Sequence, residues 1–507
     1  MKPREKWVII KNAFANVIRG SAAALVAIVL PPFLTRWMSP DAFGSWSLVL
    51  QLSAFVGYLD FGIQTAVGRF VAHSGETGDM SYRDRMVSTS TLVLVSAGIL
   101  GVVGTVVLAV FMPHLFHQMP AQLLNDSRTA LILVGTSLAL GLPFSIFNGI
   151  FVGLQRYEIP AMVIGISRLI SAAVLILIVR SGGNLTKMAA GMAAVNLASY
   201  GLQYVLYRRH APRIQFSGSV VSRKACRELF DYSFSLSVWS FATLLVTGLD
   251  IALVGVFDFR YVAYYTAAAT LITFILGLQN AIFNAMIPAA AVLEARNDTI
   301  ELGRILLSTT RYGMFLLLAS GVPLLIATRP ILSLWVGSDY ANHADMILKV
   351  LVAANIIRLS AVPYAMLLIG TGQQRLVTVS PLIEGFSNLA VSVVAGLVFG
   401  AVGVAIGTLV GSAIGILCNF VLNLPRSTRI TVSRVAYFRE GYLRPLVCVF
   451  PFVFLFPIQG FFSNWTESTA LVTSLALVVL WTLGLSSSER AQVATRLGFG
   501  AGASARA

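Results

Sequence analysis

About fourteen apolar runs of spanning length follow one another through the chain, each long enough to cross a bilayer as a helix. They centre on residues 10–34, 44–72, 88–112, 129–153, 160–180, 187–207, 229–257, 261–292, 305–328, 346–370, 377–399, 401–424, 443–461 and 468–486. Packing them as the buried core of a soluble protein fails on composition. The chain is 57% hydrophobic and 11% charged, whereas a soluble domain carries about 25% charged residues. The runs therefore predict an all-α polytopic membrane protein of about 14 transmembrane helices. The eleventh and twelfth runs meet at Gly400–Gly403 with almost no loop.

The net charge of +15 sits mostly between the runs, which is how membrane orientation is written. One set of loops carries Lys2, Arg4, Lys6, Arg83, Arg85, Arg156, Arg208, Arg209, Arg213, Arg223, Lys224, Arg227, Arg296, Arg375, Arg426, Arg429, Arg434 and Arg439. The opposite set carries only Arg36, Arg128, Arg180, Lys187, Arg260 and Arg329. This asymmetry places the N-terminus in the cytoplasm, and an even span count places the C-terminus there too. Anionic lipids are the expected general partner; no nucleic-acid motif is present, so nucleic acid is not expected. The basic N-terminus and its long apolar run, without a small-residue cleavage site, read as a first span rather than a signal peptide. The tail "AGASARA" is expected to be disordered. Cys226, Cys418 and Cys448 are odd in number and two lie in apolar runs, so no disulfide or metal framework follows. No cofactor or metal is expected.

"LPFSIFNGIFVGLQR" at 142–156 and "VPYAMLLIGTGQQR" at 362–375 echo each other 219–220 residues apart. Each opens with Pro and an aromatic residue and closes with Gly-x-Gln-Arg. At the same offset the link at Ser39–Gly44 meets Asp258–Ala263, and Asp60 meets Gln279. The echo predicts two six-helix lobes, 1–212 and 213–425, in the same orientation, with residues 426–507 holding two extra helices and a tail. Parallel repeats of this kind place a site between them near the membrane midplane.

The segment "LPPFLTRWMSPDAFGSWSLVLQLSAFVGYLDFGIQTAVGRFVA" at 30–72 has a Pro near the first helix end, then "SPDAFGSW", "LDFG" and an Arg before the next loop. It resembles the first hairpin of Wzx-type polysaccharide flippases. These share a superfamily with multidrug and toxin extruders and the lipid II flippase MurJ. Twelve spans fit that family's two lobes, and fourteen resembles the lipid II branch. The resemblance implies export of a lipid-linked oligosaccharide through a cationic cavity, with Arg19 on the corresponding first helix.

Charges within spans point to function, because burying them in the bilayer is costly. Asn12, Asn16 and Arg19 are spaced i, i+4, i+7 as one polar stripe. A diphosphate needs cations that stay charged when partly dehydrated, and the guanidinium fork of arginine suits it. Arg168, Arg311 and Arg358 also lie within spans; Arg19, Arg168 and Arg358 are the expected contacts for the diphosphate or anionic sugars. On a regular second span Asp60 lies near the midplane, Gln64 shares its face, and Arg69 marks the cytoplasmic surface. Thr243, Thr247 and Asp250 form a second i, i+4, i+7 stripe, and Glu384 sits in the eleventh span. Asp60, Gln64, Asp250 and Glu384 are the expected coupling or gating residues, for H+ or Na+. Gly403, Gly407, Gly411 and Gly415 form a small-residue face for close packing. Pro31, Pro32, Pro143, Pro323 and Pro363 are candidate helix breaks.

No phosphate-binding Gly-rich loop or zinc-protease helix motif occurs. His114, His117 and His343 lie in outward loops. These loops leave no room for a catalytic domain, so no enzyme is expected. The reading is an inner-membrane flippase for a polyprenyl-diphosphate oligosaccharide in O-antigen, capsule or exopolysaccharide assembly, with polymerase and export machinery as partners. An ion-coupled multidrug antiporter is the alternative, and a glycan polymerase or ligase the next.

Overall fold

The computed structural model describes residues 24–211, 214, 221–283, 286–453, 474, 478, 479, 481, 482 and 490. Asn12, Asn16, Arg19, most of the fourteenth run and the C-terminal tail lie outside the described residues. Among the described residues all regular structure is helical. Among these residues eight helices are long and apolar enough to cross a membrane, or nine if a pair bent by 43° counts as one span.

The first described helix is α1 (Ala24–Trp37), which runs through Pro31 and Pro32 without a break. Ser39 then caps α2 (Pro40–Ala54), accepting from the Ala42 amide at 3.3 Å, with Pro40 in the first turn and Asp41 beside the helix N-terminus. The "SPD" triplet is thus a helix start. The second span does not continue as one α-helix. It tightens into a 3-10 segment at Phe55–Asp60, and Phe61 and Gly62 adopt left-handed φ values of 49° and 72°. The chain then restarts as α3 (Ile63–Thr77), which ends on left-handed Gly78. Asp79 caps α4 (Met80–Leu115) by accepting from the Tyr82 amide at 2.8 Å.

Next come α5 (Ala121–Gly153), α6 (Glu158–Arg180), α7 (Leu185–His210) and α8 (Arg223–Thr243). Leu244–Gly248 forms a π-helical turn before α9 (Asp250–Phe257), α10 (Val262–Phe283), α11 (Met286–Ala295) and α12 (Thr299–Ile326). A short helix that the apolar runs did not reveal, α13 (Thr328–Val336), follows, and its Trp335 donates to the Ile28 carbonyl at 2.8 Å. After α14 (Ser338–Leu359) and α15 (Val362–Gly370), residues Gln374–Cys418 are helical except at Gly400, where φ 56° and ψ −133° reverse the chain. We call the two arms α16 (374–399) and α17 (401–418). The small elements α18 (Arg434–Phe438) and α19 (Arg444–Val453) follow. Pro143 and Pro323 also lie inside helices; of the five candidate prolines only Pro363 sits at a break, in the first turn of α15. Packing against neighbouring helices can re-satisfy the carbonyls a proline frees, so it need not break a span.

Two compact units emerge: Met1–Ile282, Leu324–Arg358 and Arg375–Cys418 in one, and Phe283–Pro323, Leu359–Gln374 and Asn419–Ala507 in the other. The first has a continuous core around Trp46, Leu48, Met112, Leu131, Phe259, Tyr265 and Leu348. In the second, Phe420, Tyr437 and Tyr442 pack ring to ring, with centroids 5.0 to 5.5 Å apart. Ile99, Leu100, Leu177, Leu397 and Val398 are exposed on helix surfaces, an apolar exterior that suits acyl chains.

The internal echo has a structural form. In the first unit α5 ends with Gln155 left-handed (φ 57°) and the Arg156 amide bonding back to Phe151 at 2.8 Å. In the second, α15 ends with Gly372 left-handed (φ 73°) and the Gln373 amide bonding back to Leu368 at 2.8 Å. Gly153 rests against the Gly68 carbonyl of α3, and Gly370 against the Ile287 carbonyl of α11, so a Cβ on either would come within 2.6 Å. The backbone equivalence therefore pairs Gln155 with Gly372. The Gly-x-Gln-Arg match read from the sequence is two residues out of register.

Candidate functional site

The first unit buries a cluster of polar side chains around Asp250, Glu384 and Arg358. The π-turn at Leu244–Gly248 creates it. A π-turn leaves carbonyls without their α-helical partners, and Asn388 of α16 donates its side-chain amide to two of them, Leu245 at 3.3 Å and Val246 at 3.0 Å. Directly after this turn, Asp250 enters the first turn of α9, 8% exposed. Its Oδ2 accepts from the Tyr265 hydroxyl of α10 at 3.2 Å and the Thr408 hydroxyl of α17 at 3.3 Å. Among the described residues no hydrogen bond closes on its Oδ1, although the Asn388 side chain is near enough to act on the carboxylate.

Glu384, Asn388 and Ser392 follow one another at i, i+4, i+8 along α16. Ser392 donates to Asn388 Oδ1 at 3.0 Å and to the Val404 carbonyl at 3.2 Å. Glu384 is 8% exposed, lies beside Ser412, and keeps Oε1 without a partner. Arg358, near the end of α14, donates to Asn355 Oδ1 and leaves Nη1 unpartnered. Its charge acts on both Asp250 and Glu384, yet it closes to an ion pair with neither. Each of the three charged groups thus presents one buried unsatisfied atom, an arrangement costly enough to call for a functional explanation.

This geometry depends on the glycine face of α17. A Cβ on Gly411 would meet Asn388 Cβ at 2.8 Å, and one on Gly415 would meet Glu384 Oε2 at 2.6 Å; Gly407 faces Ser392 in the same way. The glycine stripe packs closely, as its spacing predicts, and its partner is the polar stripe of α16. Oxygen atoms of Asp250, Asn388, Ser392, Thr408 and the Val404 carbonyl gather there. All-oxygen donors suit a hard cation or a proton. Among the described residues no group of three His, Cys, Asp or Glu side chains lies together.

The remaining candidates are distributed elsewhere. Asp60 is half-buried and accepts from Ser145 at 3.3 Å and from the Gly62 and Gln64 backbone amides. It therefore spans the break in the second span. The α-helical face expected to join it to the Gln64 side chain does not exist, because the left-handed turn at Phe61–Gly62 resets the helical phase. The expected stripe of Thr243, Thr247 and Asp250 also parts. The π-turn changes the angular spacing, leaving both threonines exposed and Asp250 buried. Arg69 is exposed and lies over the Tyr232 ring at 4.6 Å. Arg168 is exposed on α6 beside exposed Leu169 and Ile170. Arg311 belongs to the second unit, buried near the Tyr312 ring at 5.3 Å. Gln279 is fully buried.

Sequence reasoning missed Asn388, Ser392, Tyr265 and Thr408. The available signal was the four-residue spacing of Glu384, Asn388 and Ser392 opposite the glycine repeat. A separate cavity of about 320 Å³ lies between α1, α2, α9 and α10, lined in part by Ser47, Gln51, Thr266, Thr270 and Thr273. Gln51 donates to the Gly248 carbonyl of the π-turn at 2.5 Å.

Residues 9–293 match the polysaccharide biosynthesis protein family. A Shigella flexneri protein named for O-antigen transport is 23% identical over 350 residues, covering 68% of this chain and 80% of its own. The lipid II flippase MurJ in an inward closed conformation superposes with a TM-score of 0.70 at 14% identity, covering 93% of this chain and 98% of its own. An inward-facing multidrug resistance transporter of the MOP superfamily superposes at 0.57 and 13% identity, covering 80% and 93%. With apolar spanning helices, this shared fold and more than half its length matched to one family, the chain is a multi-pass membrane protein that belongs to the polysaccharide biosynthesis protein family.

Proposed function

We propose that the protein is a flippase that carries a polyprenyl-diphosphate-linked oligosaccharide across the bacterial inner membrane by alternating access, for O-antigen, capsule or exopolysaccharide assembly. The observation that carries this reading is the family match across residues 9–293. The Shigella relative named for O-antigen transport supports the substrate class. In this proposal both termini are cytoplasmic, as the basic loops favour. The lobes are 1–212 and 213–425, a division supported by the matched ends of α5 and α15, and 426–507 adds two helices and a tail.

Coupling to H+ or Na+ is assigned to Asp250 and Glu384, with Arg358 as the charge they exchange against. Their unsatisfied atoms support this role. Asp60 and Gln64 act as a gate at the break in the second span. Arg19, Asn16 and Asn12, with Arg358, contact the diphosphate. Arg168, exposed on α6, is proposed as a further contact for the diphosphate or anionic sugars. The fold alone is compatible with a multidrug antiporter, so the test must separate the two. Thermal stabilisation of the purified protein is measured with a polyprenyl-diphosphate sugar and with a lipophilic drug cation, for wild type and Arg19→Ala. Stabilisation by the glycolipid that shrinks in Arg19→Ala is the expected result. Stabilisation by the drug cation alone would replace the flippase with the antiporter.

A further inference from the structure

Away from the Asp250 cluster, the first unit holds a larger cavity, about 1120 Å³, between the start of α8, the left-handed turn before α3, and α4. Its two ends differ in chemistry. Arg223, Lys224 and Arg227 line one end, all exposed on the first turns of α8. Phe230, Phe234 and Phe61 line the other; they are 66%, 57% and 41% exposed. Phe61 is held there by its left-handed backbone, and its carbonyl accepts from Ser237 at 3.2 Å. Ser233, between Phe230 and Phe234 on α8, is 5% exposed with its hydroxyl unpartnered.

Two acids lie nearby: Glu228 accepts from the Tyr82 hydroxyl at 2.5 Å and Asp231 is 4.0 Å from Arg227, and the three cations still outnumber them. Along α8 the three cations come first, then Phe230, Ser233 and Phe234, so a cationic end gives way to an aromatic wall that contains one unpartnered hydroxyl, which matches a phosphate followed by the ester region and acyl chain of a lipid. Among the described residues no Asn, Gln, Asp, Glu or Trp lines the cavity, so a glycan would find few acceptors there for its hydroxyl protons. We infer that this slot is a binding site for one anionic glycerophospholipid of the cytoplasmic leaflet, distinct from the route of the lipid-linked sugar. Its position between α8 and the broken second span would let that lipid act on the two irregular segments at once.

The test is native mass spectrometry of the full-length protein in detergent, titrated with phosphatidylglycerol, phosphatidylcholine or undecaprenyl phosphate. Wild type should retain one phosphatidylglycerol in preference to phosphatidylcholine. The triple variant Arg223→Gln/Lys224→Gln/Arg227→Gln should lose about 100-fold in phosphatidylglycerol affinity at low salt, given the worth of each interfacial cation. Phe234→Ser should weaken retention without changing headgroup preference. Arg208→Gln/Arg209→Gln removes charge from the end of α7, outside the slot, and should have no effect. Equal retention of both phospholipids, or equal loss in the α7 control, would reduce the slot to ordinary lipid-facing surface. Preference for undecaprenyl phosphate, lost in the triple variant, would give the slot to the transported lipid and overturn the inference. A circular-dichroism melt of each variant checks that it is folded.

Discussion

Asp250 accepts a hydrogen bond from the Tyr265 hydroxyl at 3.2 Å through one carboxylate oxygen, while among the described residues no hydrogen bond closes on the other, the Asn388 side chain lying nearby. A group so placed is tethered and still able to bind. If it takes Na+, Na+ should raise the melting temperature of the wild type by mass action, equivalent to about 2.7 kcal/mol at a hundredfold excess over Kd. Asp250→Asn should abolish the rise, and Thr408→Val should reduce it. The same variants should lower polysaccharide export in a flippase-deficient strain at unchanged protein level. A sodium effect intact in Asp250→Asn would remove this residue from coupling.

Close contact between α16 and α17 predicts a contrast among glycines. Gly411→Ala drives a Cβ against Asn388 Cβ at 2.8 Å and the Glu384 carbonyl at 3.0 Å. It should destabilise by about 1–3 kcal/mol, the ordinary cost of overpacking. Gly104→Ala in α4, where nothing lies within 4 Å, should instead stabilise by about 0.5–1 kcal/mol through helix propensity. Thermal melts of the two variants in one detergent make the comparison.

The break in the second span depends on Gly62. Its φ of 72° disfavours any side chain, and a Cβ would meet Leu236 Cβ at 2.5 Å. Gly62→Ala should cost about 1–2 kcal/mol for the left-handed backbone alone, with the clash added. Gly57→Ala, in the same irregular segment with nothing within 4 Å, should be nearly silent. Equal melting temperatures for the two variants would show that the left-handed turn is not held.

Asp79 predicts a pH effect outside the membrane. The Tyr82 amide donates to its carboxylate and, with Arg85 nearby, holds it below the ordinary value of 3.8. A carboxyl lowered by folding contributes stability above 3.8 and loses it as the pH falls through its folded value. The amide of Tyr82 should therefore lose protection from hydrogen exchange on acidification, relative to Asp79→Ser, whose hydroxyl caps the helix without titrating.

The membrane architecture was legible because its signals are local. The apolar runs and the near-loopless meeting of two of them at Gly400 each act within a few residues of chain. The glycine repeat from Gly403 to Gly415 likewise announced a close contact. It did not say with what, since a stripe of small residues fits many neighbours.

The sequence by itself thus determined that the chain crosses a membrane many times, which charges lie within its spans, and the family it resembles. Only the tertiary structure decided which charges meet. Asp250, Arg358 and Glu384 are separated by more than twenty residues at each step and come together because α16 packs on the glycine face of α17, Thr408 of α17 reaches Asp250 of α9, and Arg358 of α14 lies near enough for its charge to act on both acids. Helical spacing could not foresee the left-handed turn at Phe61–Gly62 or the π-turn at Leu244–Gly248. Each departs from the α-helical repeat at one point and resets which residues share a face from there on. Such departures are held by partners far away in the chain, as Gln51 and Asn388 hold the carbonyls of the π-turn.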